Sequence, residues 1–366
     1  MNILYLTNHL NVGGITSYVL SLSSGLKARG HNIFVASSGG ELLSEFTREG
    51  ATFIPIPIKT KSELSPGIFI SFVKLLPLIK QYQIEIIHAN TRVTQVLGVM
   101  LSKYSGRPYL STCHGYFKIS LHRRLFPCWG KKVIAISQQV KDHLADDFRV
   151  QDTKIEVVHN GIDVSRFKET LPDGGGGIRQ ELGLHPGPII GIVARLSDVK
   201  GHRYLLEAMP SVLLRFNDAQ LLVIGEGPMQ DILTELSMRL GIEKSLKFIP
   251  SMDTAQVLSI IDVFVMPSLK EGLGLALMEA MASGIAVVGS NVGGIKSLIQ
   301  HGQNGLLVEP QDSQAISAAI GELLGDASKR KAFGARAREF IAKNFSLDEM
   351  IIKTERVYTQ CLEKKE

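Results

Sequence analysis

The feature that most constrains this chain is an alternation, repeated along most of its length, of short apolar runs with segments of helical period. Asn2-Ile-Leu-Tyr-Leu-Thr7 precedes a helical pattern over 15–28, and His31-Asn-Ile-Phe-Val-Ala-Ser37 precedes one over 42–49. Ala51-Thr-Phe-Ile-Pro-Ile-Pro-Ile58 comes next. The runs 84–89, 107–113, 132–137 and 155–160 continue the series, each followed by a helical or loop segment. Strands that alternate with helices form βαβ units, and their sheet is parallel with helices on both faces. The pattern restarts with Pro188-Ile-Ile-Gly-Ile-Val-Ala194 and proceeds through Ala219–Gly225, Leu246–Pro250, Val263–Pro267 and Ile285–Ser290, with helices predicted over 202–216, 229–240 and 275–282. Between the two series lies Leu171-Pro-Asp-Gly-Gly-Gly-Gly-Ile178, a composition unsuited to a helix or strand interior.

The reading is therefore an α/β chain of two Rossmann-like doubly wound domains, spanning 1–170 and 171–345. The last helical pattern, from about 346 to 366, has no strand after it and is expected to pack back on the first domain. A length of 366 residues fits two domains of ordinary size.

Several function classes are set aside by what the chain lacks. The longest apolar stretch, Gly67–Ile79, contains Lys74 and Pro77 and is short of the roughly 20 residues a membrane span needs. The first residues read as a strand, with no basic stretch or cleavage site of a signal peptide, so a cytoplasmic location is expected. Cys113, Cys128 and Cys361 are isolated, which argues against a disulfide framework or zinc knuckle. Residues 1–170 hold 20 Lys/Arg against 12 Asp/Glu, whereas the remainder holds 20 against 23. The basic half suits an anionic partner such as a phospholipid surface or a diphosphate-bearing acceptor. A cluster of Lys118, His122, Arg123, Arg124, Lys131 and Lys132 is the expected membrane contact. No nucleic-acid-binding signature accompanies the charge.

Three glycine-rich turns sit where strands hand over to helices. Asn11-Val-Gly-Gly-Ile15, with Gly13 and Gly14, and Gly225-Glu-Gly-Pro-Met-Gln230, with Gly225 and Gly227, each serve either a tight turn or a phosphate. Ala194-Arg-Leu-Ser-Asp-Val-Lys-Gly201 places Arg195 and Lys200 at the carboxyl edge of the second sheet, where such folds bind ligands, and two cations there suit a diphosphate. Glu271 lies in the glycine-rich loop after Val263–Pro267, and Glu279 stands eight residues later, about two turns into the next helix.

The run from Glu271 to Glu279 resembles the Glu-x7-Glu motif of the retaining glycosyltransferases of family four, which have the GT-B fold of two domains facing across a cleft. The likeness extends in order through Val12-Gly-Gly14, Thr112-Cys-His-Gly115, Ala135-Ile-Ser137, His159-Asn-Gly-Ile-Asp163, Arg195 with Lys200-Gly201, Gly225-Glu-Gly-Pro228, Pro267-Ser268 and Gly302-Gln-Asn-Gly305. The resemblance implies that Arg195 and Lys200 hold the donor diphosphate and that Glu279 binds the ribose hydroxyls. Glu271 and the amides of Gly272, Leu273, Gly274 and Leu275 would hold the donor sugar and phosphate, and His114 would stand near the transferring carbon. Gly13 and Gly14, with Gly225 and Gly227, would complete the donor site. This sequence departs from the pattern at Thr16 within GGIT, at Asn90, where a second histidine is frequent, and at Pro250, where a glycine is common.

So read, the chain would transfer a sugar from a UDP- or GDP-sugar to a saccharide or lipid-linked acceptor, with no metal or other cofactor. Nowhere do two aspartates stand one residue apart, the arrangement that holds a divalent ion in many sugar transferases. Two rival readings share the architecture: a non-hydrolysing nucleotide-sugar epimerase, and a catalytically silent sugar-nucleotide-binding subunit.

Overall fold

A computed structural model describes residues 1–117, 119, 121–167 and 176–363, so Lys118 and most of the glycine-rich run expected as the domain boundary lie outside the described residues. The chain divides into two compact units, Met1–Gly161 with Leu347–Glu366, and Ile162–Ser346. The division falls upstream of the glycine run. Ile162 N donates to Phe345 O at 2.8 Å, and the 3-10 turn Val164–Phe167 packs on the second unit's helices, so this stretch belongs with the second unit.

The first unit carries strands β1 (Asn2–Leu6), β2 (Asn32–Ser37), β3 (Thr52–Pro55), β4 (Ile86–Ala89), β5 (Tyr109–Cys113), β6 (Lys132–Ala135) and β7 (Ile155–Val157). Helices α1 (Gly14–Ala28), α2 (Leu43–Arg48), α3 (Pro66–Gln81), α4 (Arg92–Ser105), α5 (Leu121–Leu125) and α6 (Gln138–Phe148) lie between them. The sheet is parallel in the order β3-β2-β1-β4-β5-β6-β7. Its inner strands are buried on both faces, which is why they read as continuous apolar runs rather than alternating ones.

The second unit carries α7 (Gly176–Glu181), β8 (Ile189–Val193), α8 (His202–Leu213), β9 (Gln220–Ile224), α9 (Gln230–Arg239), β10 (Leu246–Ile249), α10 (Thr254–Leu258) and β11 (Val263–Met266). It continues with α11 (Leu275–Ala282), β12 (Ala286–Ser290), α12 (Ile295–Leu298), β13 (Leu306–Val308), α13 (Ser313–Gly325) and α14 (Ala327–Asn344). Its parallel sheet has the order β10-β9-β8-β11-β12-β13. In both sheets the strand order thus reverses between the first and fourth strands, β1 beside β4 and β8 beside β11. At such a switch point the two loops leaving the strands splay apart and open a crevice at the carboxyl ends.

The last helix, α15 (Leu347–Leu362), lies on the first unit against α1, its Met350, Ile351, Val357, Tyr358 and Cys361 joining the core around Ile3 and Tyr5. A Cβ on Gly25 of α1 would stand 2.0 Å from Ile351 Cδ1, so a glycine is what admits the helix this closely. Tyr358 also enters a buried polar chain. Tyr5 and Tyr358 hydroxyls are 2.7 Å apart, and Tyr358 lies 2.7 Å from His88 Nδ1. His88 Nε2 lies 2.7 Å from Thr112 Oγ1, which is 3.3 Å from the Tyr18 hydroxyl. Burial holds the His88 imidazole neutral, with its pKa lowered to about 3, so it supplies one donor and one acceptor to this chain. Tyr358→Phe leaves a buried ring nitrogen unpartnered and is expected to lower stability by about 1–3 kcal/mol. Thermal unfolding tests this, and an unchanged melting temperature would contradict it.

Candidate active site

The second unit gathers its chemistry at the switch point between β8 and β11. After β8 the chain forms Ala194–Gly201, and after β11 it forms Pro267–Gly274. The two loops are joined by Leu269 N donating to Val199 O at 2.8 Å. Gly201, at φ 69°, brings its Cα against the Pro267 carbonyl. A Cβ there would lie 1.9 Å from that oxygen, so no other residue allows this approach. The result is a direct ion pair. Lys200 Nζ donates to Glu271 Oε2 at 2.5 Å, and Ser268 Oγ donates to the same oxygen at 3.3 Å. Both charged side chains are largely withdrawn from solvent, Glu271 more so than Lys200. Arg195 is exposed beside them and has no carboxylate partner among the described residues.

The Gly225–Pro228 turn serves this edge from below. A Cβ on Gly225 would meet Ala194 O at 2.3 Å, and one on Gly227 would meet Leu196 O at 2.3 Å. Leu196 N donates to Glu226 O and Met229 N to Leu196 O. These glycines let one loop lie flat on the backbone either side of Arg195, which is sufficient reason for both.

Glu279 lies five residues into α11, a little over one turn, because Gly272 to Gly274 stay outside the helix and Gly274 caps it at φ 95°. The helix starts at Leu275, as the sequence predicts, and the shorter reach comes from counting from that start rather than from Glu271. Gly272, Leu273 and Gly274 are buried and Leu275 is partly exposed. The turn at Gly294 covers this loop, with Gly294 N donating to Glu271 O at 3.1 Å. Glu279 is half-buried, and its carboxyl is pushed up to about 7 by desolvation, opposed by the Arg166 charge and a hydrogen bond from Thr254. Arg166 itself is held by Asp253 at 2.6 Å, and Asp253 caps α10 through the amides of Ala255 and Gln256. Arg166, Asp253 and Thr254 were not legible as site residues in the sequence, and Ser268 was visible only as part of the Pro267-Ser268 motif. Arg166 lies three positions beyond Asp163, and Asp253 and Thr254 lie three and four beyond Pro250; what brings these three in is tertiary packing of the Val164–Phe167 turn and α10 on α11.

In the first unit His114 follows β5 and Asn90 follows β4, adjacent strands at the same edge. His114 Nε2 lies 3.2 Å from Asn90 Oδ1, and the Tyr18 ring stands edge-on to the imidazole at 4.7 Å between centroids. Asn90 Oδ1 accepts the Nε2 proton, leaving Nδ1 as an acceptor. The Asn90 amide nitrogen is buried and unpartnered. Burial lowers the His114 pKa to about 3, so the ring is neutral across the physiological range. The expected consequence is a pH–rate profile with no limb from His114 between about pH 5 and 8. A limb there that disappears in His114→Gln would refute the neutral assignment. Burial pushes the neighbouring Cys113 thiol up, so it offers no thiolate beside the imidazole.

Gly13 and Gly14 open the fifteen-residue α1, are exposed, and have open space where a Cβ would stand. The Glu41 carboxylate accepts from the neighbouring Val12 N at 3.0 Å. Gly302–Gly305 is a turn organised by the buried Asn304, whose side chain accepts from Gln300 N and donates to Leu298 O. Surface depressions lined by Pro108, Tyr109 and Lys131, and by Pro188, Asp218 and Asp262, open at the amino ends of the strands, away from the site.

Of the basic cluster between α4 and β6, Lys118 and the His122 side chain lie outside the described residues. The rest is engaged within the unit. Arg123 is buried with its guanidinium 4.1 Å from the Phe117 ring centroid, and Arg124 donates to Asp147 O. Lys131 donates to Cys361 O and Glu363 O at the end of α15, and Lys132 pairs with Glu156 at 2.6 Å.

Residues 177–340 match the family model described as Glycosyl transferases group 1, and residues 12–166 match that of Glycosyltransferase Family 4. Both halves of the chain are glycosyltransferase-family domains. The group 1 domain contains the whole cluster around Lys200, Glu271 and Glu279 except Arg166, and the family 4 domain contains His114 and Asn90. An uncharacterized glycosyltransferase of Methanocaldococcus jannaschii is 28% identical over 96% of this chain and 95% of its own length. A GDP-mannose-dependent alpha-(1-6)-phosphatidylinositol monomannoside mannosyltransferase of Mycolicibacterium smegmatis is 30% identical over 58% of this chain and 58% of that protein. The match thus spans little more than half of that functionally named relative. Anabaena HepE, solved in complex with UDP and glucose, superposes with a TM-score of 0.87 over 98% of this chain and all of its own, at 22% identity. The two domains therefore have the GT-B fold of glycosyltransferases.

Proposed function

We propose that the chain is a retaining glycosyltransferase that moves a sugar from a UDP- or GDP-sugar to a saccharide or lipid-linked acceptor in cell-surface polysaccharide or glycolipid assembly, without a metal ion. The observation that carries the reading is the Lys200–Glu271 pair beside the unpaired Arg195 at the switch point of the group 1 domain. A diphosphate at that edge meets two cations and the open amino ends of α8 and α11, neither of which has a side-chain cap. Lys200 then exchanges part of its contact with Glu271 for the leaving phosphate, and the freed carboxylate oxygen accepts from a sugar hydroxyl.

Rate enhancement on this account comes from fixed positive charge aimed at the oxygen that becomes anionic as the glycosidic bond to the diphosphate breaks. The partly buried Glu279 accepts from the ribose hydroxyls, and Arg166 with Thr254 holds it in place. Neutral His114, fixed by Asn90, presents an acceptor nitrogen rather than a proton. The nucleotides in the names of the Mycolicibacterium and Anabaena proteins, GDP-mannose and UDP, support this donor class.

Thermal unfolding with UDP, GDP, their common sugar conjugates and adenine counterparts tests the donor class. A ligand at 100 times its dissociation constant adds about 2.7 kcal/mol of stability. One base should stabilise the protein and the adenine series should not. No shift with any of them would overturn the proposal.

A further inference from the structure

Helix α3 is apolar on more sides than its packing needs. Its inner stripe, Ile68, Phe72, Leu75 and Ile79, is buried against the sheet and α4. Its outer stripe runs at the same helical spacing and is also apolar: Phe69 is 61% exposed, Ile70 54% and Val73 55%. Tyr104 of α4, 68% exposed, extends the patch, its ring edge-on to Phe72 at 5.2 Å. A helix whose solvent side is largely apolar is ordinarily at an interface, and contiguous exposed apolar surface of this kind marks a contact.

The charge around the patch decides what the contact is. Neither α3 nor α4 carries an acidic residue, and their exposed charged side chains are Lys74, Lys80 and Lys103, with Arg107 just beyond. The nearest carboxylate before α3, Glu63, is neutralised by Arg92 at 2.8 Å. Beyond α3, Glu85 beside Lys103 and Arg107 accepts from Asn2 N at 2.8 Å, and the fringe is mainly cationic, which matches a bilayer surface that is apolar beneath and anionic at its headgroups. In the basic cluster at 123–132, by contrast, Arg123 is buried and Lys132 is paired with Glu156, while Arg124 and Lys131 donate to backbone carbonyls.

We propose that the outer face of α3, with the end of α4, docks this protein on a membrane rich in anionic phospholipid. Phe69, Ile70 and Val73 enter the headgroup boundary while Lys74 and Lys80 meet lipid phosphates. No helix among the described residues is long and apolar enough to cross a membrane, so the attachment is at the surface. The proposal stands apart from the sugar-transfer reading, because it concerns another face and its test needs no donor.

The test is co-sedimentation of the full chain with vesicles of phosphatidylcholine alone or with phosphatidylglycerol added, at low and high salt. The wild type should partition to the anionic vesicles at least about tenfold better, with the difference shrinking in salt. Ile70→Glu with Val73→Glu, and separately the milder Phe69→Ser, should lose the binding while melting near the wild-type temperature. Lys74→Gln with Lys80→Gln should retain binding but lose its salt dependence, and Arg124→Gln should bind as the wild type does. Equal partitioning to both vesicle types, or undiminished binding by the Ile70/Val73 and Phe69 variants, would overturn the proposal. So would a wild-type dimer in sedimentation velocity that the Glu pair dissolves without any vesicle binding.

Discussion

Lys200→Ala and Arg195→Ala are each expected to lower kcat for sugar transfer about 100-fold or more, since removing one preorganised charge from a developing anion costs roughly that much. The two variants should differ in stability. Arg195 is exposed without a carboxylate partner among the described residues, so Arg195→Ala should melt with the wild type. Lys200 is the cation on which Glu271 rests at 2.5 Å, and its removal leaves a largely buried carboxylate with Ser268 alone. Lys200→Ala should therefore also melt several degrees lower, an effect of half-buried pair breakage rather than of catalysis. Lys200→Ala, Glu271→Gln restores the melting temperature without restoring kcat. Near-normal kcat in both single variants would remove these cations from the mechanism.

Glu279→Ala should raise the donor KM roughly 10- to 100-fold with a smaller change in kcat, the signature of hydrogen bonds of about 1.5–3 kcal/mol made equally in ground and transition states. The pH dependence has a definite sign. With its carboxyl near 7 in the free protein, Glu279 is mostly protonated at pH 6 and mostly ionised at pH 8, so donor affinity should rise across that window and level off above it. Stability should run the other way. A raised carboxyl pKa means that the protonated form favours the fold. That contribution is complete below the unfolded value of about 4.5 and is lost as pH rises through about 7. Glu279→Gln should accordingly melt higher than the wild type at pH 8 and alike at pH 4, while binding donor more weakly at pH 8. A donor KM unchanged in the Ala variant would contradict the ribose assignment.

How much of this was readable beforehand depended on how local each signal is. The parallel strands were legible because burial on both faces leaves long apolar runs, and α1, α11 and the start of α15 were placed to within about one residue by periodicity and glycine stops. β13 was missed because three residues, Leu306–Val308, carry no period. α3 was legible only as an apolar stretch interrupted by Lys74 and Pro77, with too few polar residues to reveal a helix. At the site, residues joined by one loop were found, whereas those joined across elements were not. Glu271 and Lys200 stood out singly, but their contact depends on Gly201 lying against Pro267, which no spacing rule contains. Asn90 was visible as a departure from pattern, and the structure gives it work as the partner of His114. The polar chain through Tyr358 joins residues separated by as many as 353 positions and was out of reach.

The central claim is that fixed cations of the group 1 domain drive departure of a nucleoside diphosphate from an activated sugar. The most direct measurement is release of that diphosphate from the stabilising nucleotide sugar, with water or added saccharide as acceptor, in excess EDTA, with the anomeric configuration of the product followed by proton NMR. Release at an undiminished rate under chelation, a product of retained configuration, and loss of release in Lys200→Ala and Arg195→Ala are expected. Binding without release would identify a silent subunit, and conversion to an epimer with the diphosphate intact would identify an epimerase. Either result, or activity abolished by chelator and restored by Mg²⁺ or Mn²⁺, would contradict the claim.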